Sequence, residues 1–73
     1  MIAQKTVGDN LRNIRKSLGM TQGEVASALG VSGSTISKME LGKRNVNSTE
    51  LARMANLYHR TISELLIPDD SQE

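Results

Sequence analysis

Apolar residues recur along this chain at intervals of three and four rather than two. Val7, Leu11, Ile14 and Leu18 fall at i, i+4, i+7 and i+11, one stripe of a 3.6-residue period, and predict a first helix. Thr6 stands where an N-cap would, with Asp9 three residues on, and Gly19 where a helix would stop. A second helix opens on Thr21-Gln22-Gly23-Glu24, a capping box in which Glu24 reaches back to the amide of Thr21. Val25, Ala26 and Leu29 form its inner face, and Gly30 ends it. The third starts after Val31 with Ser32 as N-cap, turns Ile36 and Met39 inward and stops near Gly42. Asn47-Ser48-Thr49-Glu50 and Thr61-Ile62-Ser63-Glu64 are two more capping boxes. The former leads to Leu51, Met54, Ala55 and Tyr58 on one face, the latter to Leu65, Leu66 and the breaker Pro68. Nothing alternates with period two over a useful length. The pattern predicts five short helices and no sheet.

Connections this short imply a compact all-α cluster rather than a long bundle. The helical domain is expected to span 6–67, with 1–5 as an N-terminal arm and 68–73 as a disordered acidic tail. At 73 residues the chain is one domain, near the lower size at which a core holds without staples. It has no cysteine, which removes disulfides and thiolate metal sites. Tyr58 is the only aromatic residue, so the core must be aliphatic, with Met20, Met39 and Met54 as fillers. No run approaches the ~18 apolar residues that span a bilayer, and Met1-Ile2-Ala3-Gln4-Lys5 lacks a signal-peptide hydrophobic stretch. A soluble, cytoplasmic protein is expected.

The net charge of +1 becomes informative only when divided along the chain. From Arg12 to Arg44 there are six basic residues (Arg12, Arg15, Lys16, Lys38, Lys43, Arg44) against Glu24 and Glu40, while Asp69, Asp70 and Glu73 close the chain without a base. A basic middle and an acidic tail suit a polyanion-binding face. An ordinary solvated surface would give the same modest excess.

The stretch from Gln22 to Leu41 decides between them. Two helices crossing steeply through a tight turn need a small residue where they meet, which Ala26 supplies, and a positive φ at the turn, which Gly30 supplies without strain. Val25, Leu29, Val31, Ile36 and Met39 would plug the wedge between these helices and the first. The outer side of the second of the pair is left with Ser32, Gly33, Ser34, Ser37 and Lys38. An apolar underside and short polar side chains outside suit a major groove.

In these residues the chain resembles the phage-repressor and Cro-type helix-turn-helix regulators, with the motif at 22–41. The resemblance is carried by Leu11-Arg12-Asn13-Ile14-Arg15, Leu18-Gly19-Met20-Thr21-Gln22, Leu29-Gly30-Val31-Ser32, Thr35-Ile36-Ser37-Lys38-Met39-Glu40 and Gly42-Lys43-Arg44, and it continues through Leu51-Ala52 to Leu65-Leu66. It implies a five-helix, lambda-repressor-like domain and a transcriptional regulator, with repression the expected mode, in a prokaryotic or phage setting and associated with the nucleoid. The third helix (32–40) would read bases through Ser32, Gly33, Ser34, Ser37 and Lys38. Thr21, Gln22, Lys43, Arg44, Asn45 and Asn47 would hold phosphates. Arg15 and Glu40 match positions that form a buried ion pair in relatives. Two departures stand out. Gly33 lies where relatives often carry a long base-reading side chain, and Val46 where they commonly place Pro. The first shifts the base code to Ser34, Ser37 and Lys38 and gives more weight to DNA shape.

Catalysis finds no support. The serines lack a general base at workable spacing, His59 stands without a second His, and no carboxylate pair or phosphate-cradling Gly loop is present. No cofactor or metal is expected. A domain this small reads few base pairs, so the leading expectation is a homodimer on a palindromic double-stranded operator, with half-sites about 34 Å apart. Leu57, Tyr58, Ile62, Leu65, Leu66 and Ile67 exceed what one small core needs and predict the dimer surface. The alternative is a protein-interaction module, an antitoxin or adaptor, that offers the same helices to another protein.

Overall fold

Thr21, Ser32, Asn47 and Thr61 each sit in extended backbone, and each side chain accepts a hydrogen bond from the amide three residues on. These four caps set the starts of four helices. The computed structural model describes residues 4–67. Within that span lie α1 (Gln4–Ser17), α2 (Gln22–Leu29), α3 (Gly33–Glu40), α4 (Ser48–Tyr58) and α5 (Ile62–Leu66), with no strand among the described residues. The three capping boxes read from sequence are all closed, Glu24, Glu50 and Glu64 each accepting from the amide of its own N-cap at 2.8–3.0 Å.

Helix ends follow from glycine where the backbone turns left-handed. Gly30 has φ +73°, and behind it the amide of Val31 reaches the carbonyl of Ala26 at 3.0 Å. This is the Schellman closure that turns the chain sharply from α2 into α3. At the end of α4 the same conformation falls on His59 (φ +58°). Histidine tolerates it better than most side chains.

Each helix contributes to one core: Val7 and Leu11 from α1, Val25, Ala26 and Leu29 from α2, Ile36 and Met39 from α3, Met54, Ala55 and Tyr58 from α4, and Leu65 from α5. α1 lies across both α3 and α5, and α2 packs on α3 and α4. Met20 and Val46 are partly buried against this core. No helix among the described residues is long and apolar enough to cross a membrane.

Four expectations need correction. Thr6 is not an N-cap, because α1 already runs from Gln4 and Asp9 pairs instead with Lys5 at 2.9 Å. The proposed arm therefore loses Gln4 and Lys5 to the helix; its residues 1–3, Pro68 and the acidic tail lie outside the described residues. Leu18 continues the α1 stripe in sequence but is 44% exposed, having passed the end of the core it would pack on. Tyr58 and Leu65 are not surplus apolar surface: they are 1% and 0% exposed within this chain's own core and cannot line a dimer contact.

Candidate nucleic-acid interface

α3 is anchored by Ile36 and Met39, both essentially inaccessible, which turns its other side outward. On that side Ser32, Gly33, Ser34 and Lys38 are exposed and Ser37 is half-buried. Ser32 serves first as a cap: its Oγ accepts from the Thr35 amide at 3.1 Å and lies 3.0 Å from the Thr35 hydroxyl. A Cβ at Gly33 would meet nothing within 4 Å. The fold therefore does not require glycine there, and a bare backbone at the first turn of α3 is open to close approach by another molecule.

Beneath α3 sits the ion pair that the resemblance implied. Arg15 Nε donates to Glu40 Oε2 at 2.7 Å and Nη2 to Oε1 at 3.0 Å, the two-pronged geometry of a guanidinium on a carboxylate. The side chains are 10% and 2% exposed. The hydrogen bond to Glu40 raises the Arg15 pKa, against the opposing effect of burial. Arg15 Nη1 also donates to the Met20 carbonyl at 2.8 Å, which ties down the link that leads into α2.

At the start of α2, Thr21 is exposed and its oxygen accepts from the Glu24 amide, leaving its O–H unassigned by the cap. Gln22 is half-buried, and its Nε2 donates to Glu40 Oε1 at 3.0 Å. The segment after α3 is more committed than the sequence suggested. Arg44 grips Glu50 with both terminal nitrogens, at 2.9 and 2.8 Å, and also donates to the Asn45 carbonyl. Asn47 caps α4, and Asn45 Oδ1 accepts from the Gln4 side-chain amide. Lys38 and Lys43 are exposed, and among the described residues no carboxylate pairs with either. These two ammonium groups lie on the last turn of α3 and just beyond it, available to an anion.

Two buried residues that seat α1 against its neighbours were missed. Gly8 is buried, and a Cβ there would stand 2.6 Å from the carbonyl oxygens of Met39 and Glu40, so α1 meets the end of α3 backbone to backbone. An isolated glycine inside a helical pattern was the available signal. Asn10 is 7% exposed and donates to the carbonyls of Leu65 and Ile67, both at 2.9 Å. Nothing near it in sequence announced that partner.

Of the six residues expected at a dimer surface, Ile62 and Ile67 are 44% and 59% exposed, and Leu57 and Leu66 are half-buried. They lie at the end of α4 and along α5.

A family model described as helix-turn-helix matches residues 11–65. An uncharacterized HTH-type transcriptional regulator of Sinorhizobium fredii is 34% identical over 70 residues, 96% of this chain and 91% of its own. Among solved structures, the restriction-modification controller protein C.AhdI from Aeromonas hydrophila superposes with a TM-score of 0.81 at 27% identity, over 86% of this chain and 91% of that one. The same fold aligns, with a TM-score of 0.84 and 27% identity, to Fe(II) HppE solved in complex with substrate, over 90% of this chain but 38% of that one.

Proposed function

This chain belongs to the helix-turn-helix family of transcriptional regulators, and we propose that it binds double-stranded DNA sequence-specifically, with α3 in the major groove, to repress transcription. The observation that carries this reading is the outward face of α3. Ser34 and Lys38 stand clear of the protein beyond the left-handed corner at Gly30, while Arg15 and Glu40 brace the helix from below. An exposed polar helix face braced this way matches the demands of groove entry.

Ser34, Ser37 and Lys38 are proposed to meet base edges, with Ser32 and Gly33 at the point of entry. Lys43, Thr21 and Gln22 are proposed on phosphates, the latter two at the positive end of the α2 dipole. Arg44, Asn45 and Asn47 are proposed to act mainly by shaping the backbone that follows α3, since their side chains already have partners within the protein. We assign no catalytic role, because the likeness to HppE concerns little more than a third of that chain and a shared fold does not carry an activity with it. A DNA-binding regulator of this kind acts in the cytoplasm, at the nucleoid.

Useful specificity from so small a reader calls for two copies. Ile62 and Ile67, with the exposed parts of Leu57 and Leu66, are the apolar surface offered for a second copy of this chain. The same patch would serve an antitoxin or adaptor. The readings separate on Lys38→Ala, which weakens binding to the selected site by a regulator and leaves an adaptor's partner affinity intact.

Selection of bound sequences from a random duplex pool tests the proposal. A palindromic consensus with half-sites about one helical turn apart is expected, with affinity falling steeply between about 50 and 200 mM salt. Recovery of no consensus, or binding indifferent to salt, would overturn it.

A further inference from the structure

Glu40 accepts from three N–H groups and not only from its arginine. Oε2 takes Arg15 Nε at 2.7 Å, while Oε1 takes both Arg15 Nη2 and Gln22 Nε2, each at 3.0 Å. The donors come from the last turn of α1 and the first residue of α2. A carboxylate has no proton to give, so the nitrogen end of the Gln22 amide must face it. A primary amide nitrogen carries two N–H bonds in one plane, about 120° apart, and only one of them is spent here.

Glu40 is 3% exposed, whereas Gln22 is half-buried and reaches the surface at the start of α2. The guanidinium balances the carboxylate charge, so the assembly presents a directed donor without net negative charge. Arg15 Nη1 on the Met20 carbonyl fixes the link just before α2 from the same centre.

We infer that Glu40 is a positioning residue for DNA binding: it locks the plane of the Gln22 amide so that its second N–H is presented to a phosphate oxygen. This rests on the phosphate role proposed above for Gln22. It couples the backbone grip at the start of α2 to the last turn of α3, the helix that reads bases. A glutamine held in advance does not have to be ordered on binding, and loss of that pre-ordering weakens binding about three- to tenfold.

Side-chain ¹⁵N relaxation on the free wild-type protein gives a readout that needs no DNA and no variant. The Gln22 amide is expected to be as rigid as the backbone, with an order parameter near about 0.85, and a value below about 0.6 overturns the inference. A double-mutant cycle in duplex affinity follows. Glu40→Gln and Gln22→Ala each weaken binding, and Glu40→Gln added to Gln22→Ala weakens it no further. Because breaking a buried pair can unfold a small domain, the cycle is repeated with Arg15→Met and Glu40→Met together, an apolar replacement that such sites often accept. Additive losses in a protein that binds DNA overturn this inference alone. A wild-type chain that binds no duplex overturns it together with the phosphate reading.

Discussion

Gly8 lies so close to the carbonyl oxygen of Glu40 that a methyl carbon at position 8 would stand 2.6 Å from it. The obstacle is backbone, with the Met39 carbonyl at the same distance, so no side-chain rotation relieves it. Gly8→Ala would gain about 1 kcal/mol in helix propensity and lose about 1–3 kcal/mol to overpacking. With a backbone obstacle the upper end of that cost applies, and net destabilisation is expected. The midpoint of urea unfolding should fall; a midpoint equal to or above wild type would mean that α1 and α3 separate freely.

Asn10 fastens the other side of α1. Its two amide hydrogens satisfy the carbonyls of Leu65 and Ile67 where α5 ends. Asn10→Ala leaves a buried carbonyl unpaired and should cost about 1–3 kcal/mol. Asn10→Asp should cost more at neutral pH, because it sets a carboxylate against two carbonyl oxygens. The two unfolding midpoints, compared at pH 7, check the order.

Apart from the start of α1, where Thr6 proved to lie inside the helix, the helix caps whose partners lie within four residues were legible in the sequence. Thr21, Asn47 and Thr61 each met a glutamate three positions on, and all three boxes closed. Gly30 turned the corner because no residue with a Cβ does so as cheaply. The contacts of Gly8 and Asn10 were not legible, although an isolated glycine marked the former, since their partners lie 31 or more and 55 or more positions away and are main-chain carbonyls of no particular residue type. Leu18, Tyr58 and Leu65 were misassigned for a related reason: periodicity tells which face a residue shares, not where the core ends or how much it holds. At the candidate interface, Lys38 and Ser34 emerged outward as read. Arg44 looked like an available cation only because nothing in its type reveals that Glu50, engaged in a cap, would also hold it.

Tyr58 has a buried hydroxyl with no hydrogen-bond partner among the described residues. Burial pushes its pKa up to about 12, reinforced by Glu40 and opposed by Arg15. The folded protein therefore keeps the proton where the unfolded chain, ionising near pH 10, has released it. Stability is then fully present below pH 10 and is lost as pH rises towards 12, by up to about 3 kcal/mol. Tyr58→Phe removes an unsatisfied polar group, so it should be neutral or stabilising at pH 7 and should flatten the alkaline decline. Guanidinium melts of both proteins between pH 8 and 12 check this, and a large loss in Tyr58→Phe at pH 7 would reveal a partner for the hydroxyl.

Glu50 contributes on the acid side. Its pKa is held below the usual 4.5, first by the Arg44 hydrogen bond and further by the Asn47 amide, against desolvation. The contribution is present above pH 4.5 and is lost as pH falls through the lower, folded-state value. Glu50→Gln should lower the melting temperature at pH 7 and show a shallower further drop on acidification than wild type. Parallel acid profiles for the two would mean that the pairing contributes nothing to folding.

Lys38 and Lys43 should part company in DNA binding, although both are exposed lysines without an acidic partner among the described residues. Lys38 is exposed on α3, and in the docking proposed above it meets a base edge, where one good contact discriminates by about 1–3 kcal/mol. Lys43 follows the left-handed turn at Gly42, its amide bonded to the Lys38 carbonyl at 2.9 Å, at the edge where a strand backbone would pass. Lys38→Ala should therefore reduce affinity for the selected site about 5- to 150-fold while leaving binding to random duplex nearly unchanged. Lys43→Ala should weaken both together and reduce the slope of log K against log salt by about 0.9 for each phosphate contact removed. Fluorescence anisotropy on specific and scrambled duplexes at several salt concentrations separates the two effects. If Lys43→Ala relaxes specificity while Lys38→Ala changes only the salt slope, α3 enters the groove in a different orientation from the one proposed.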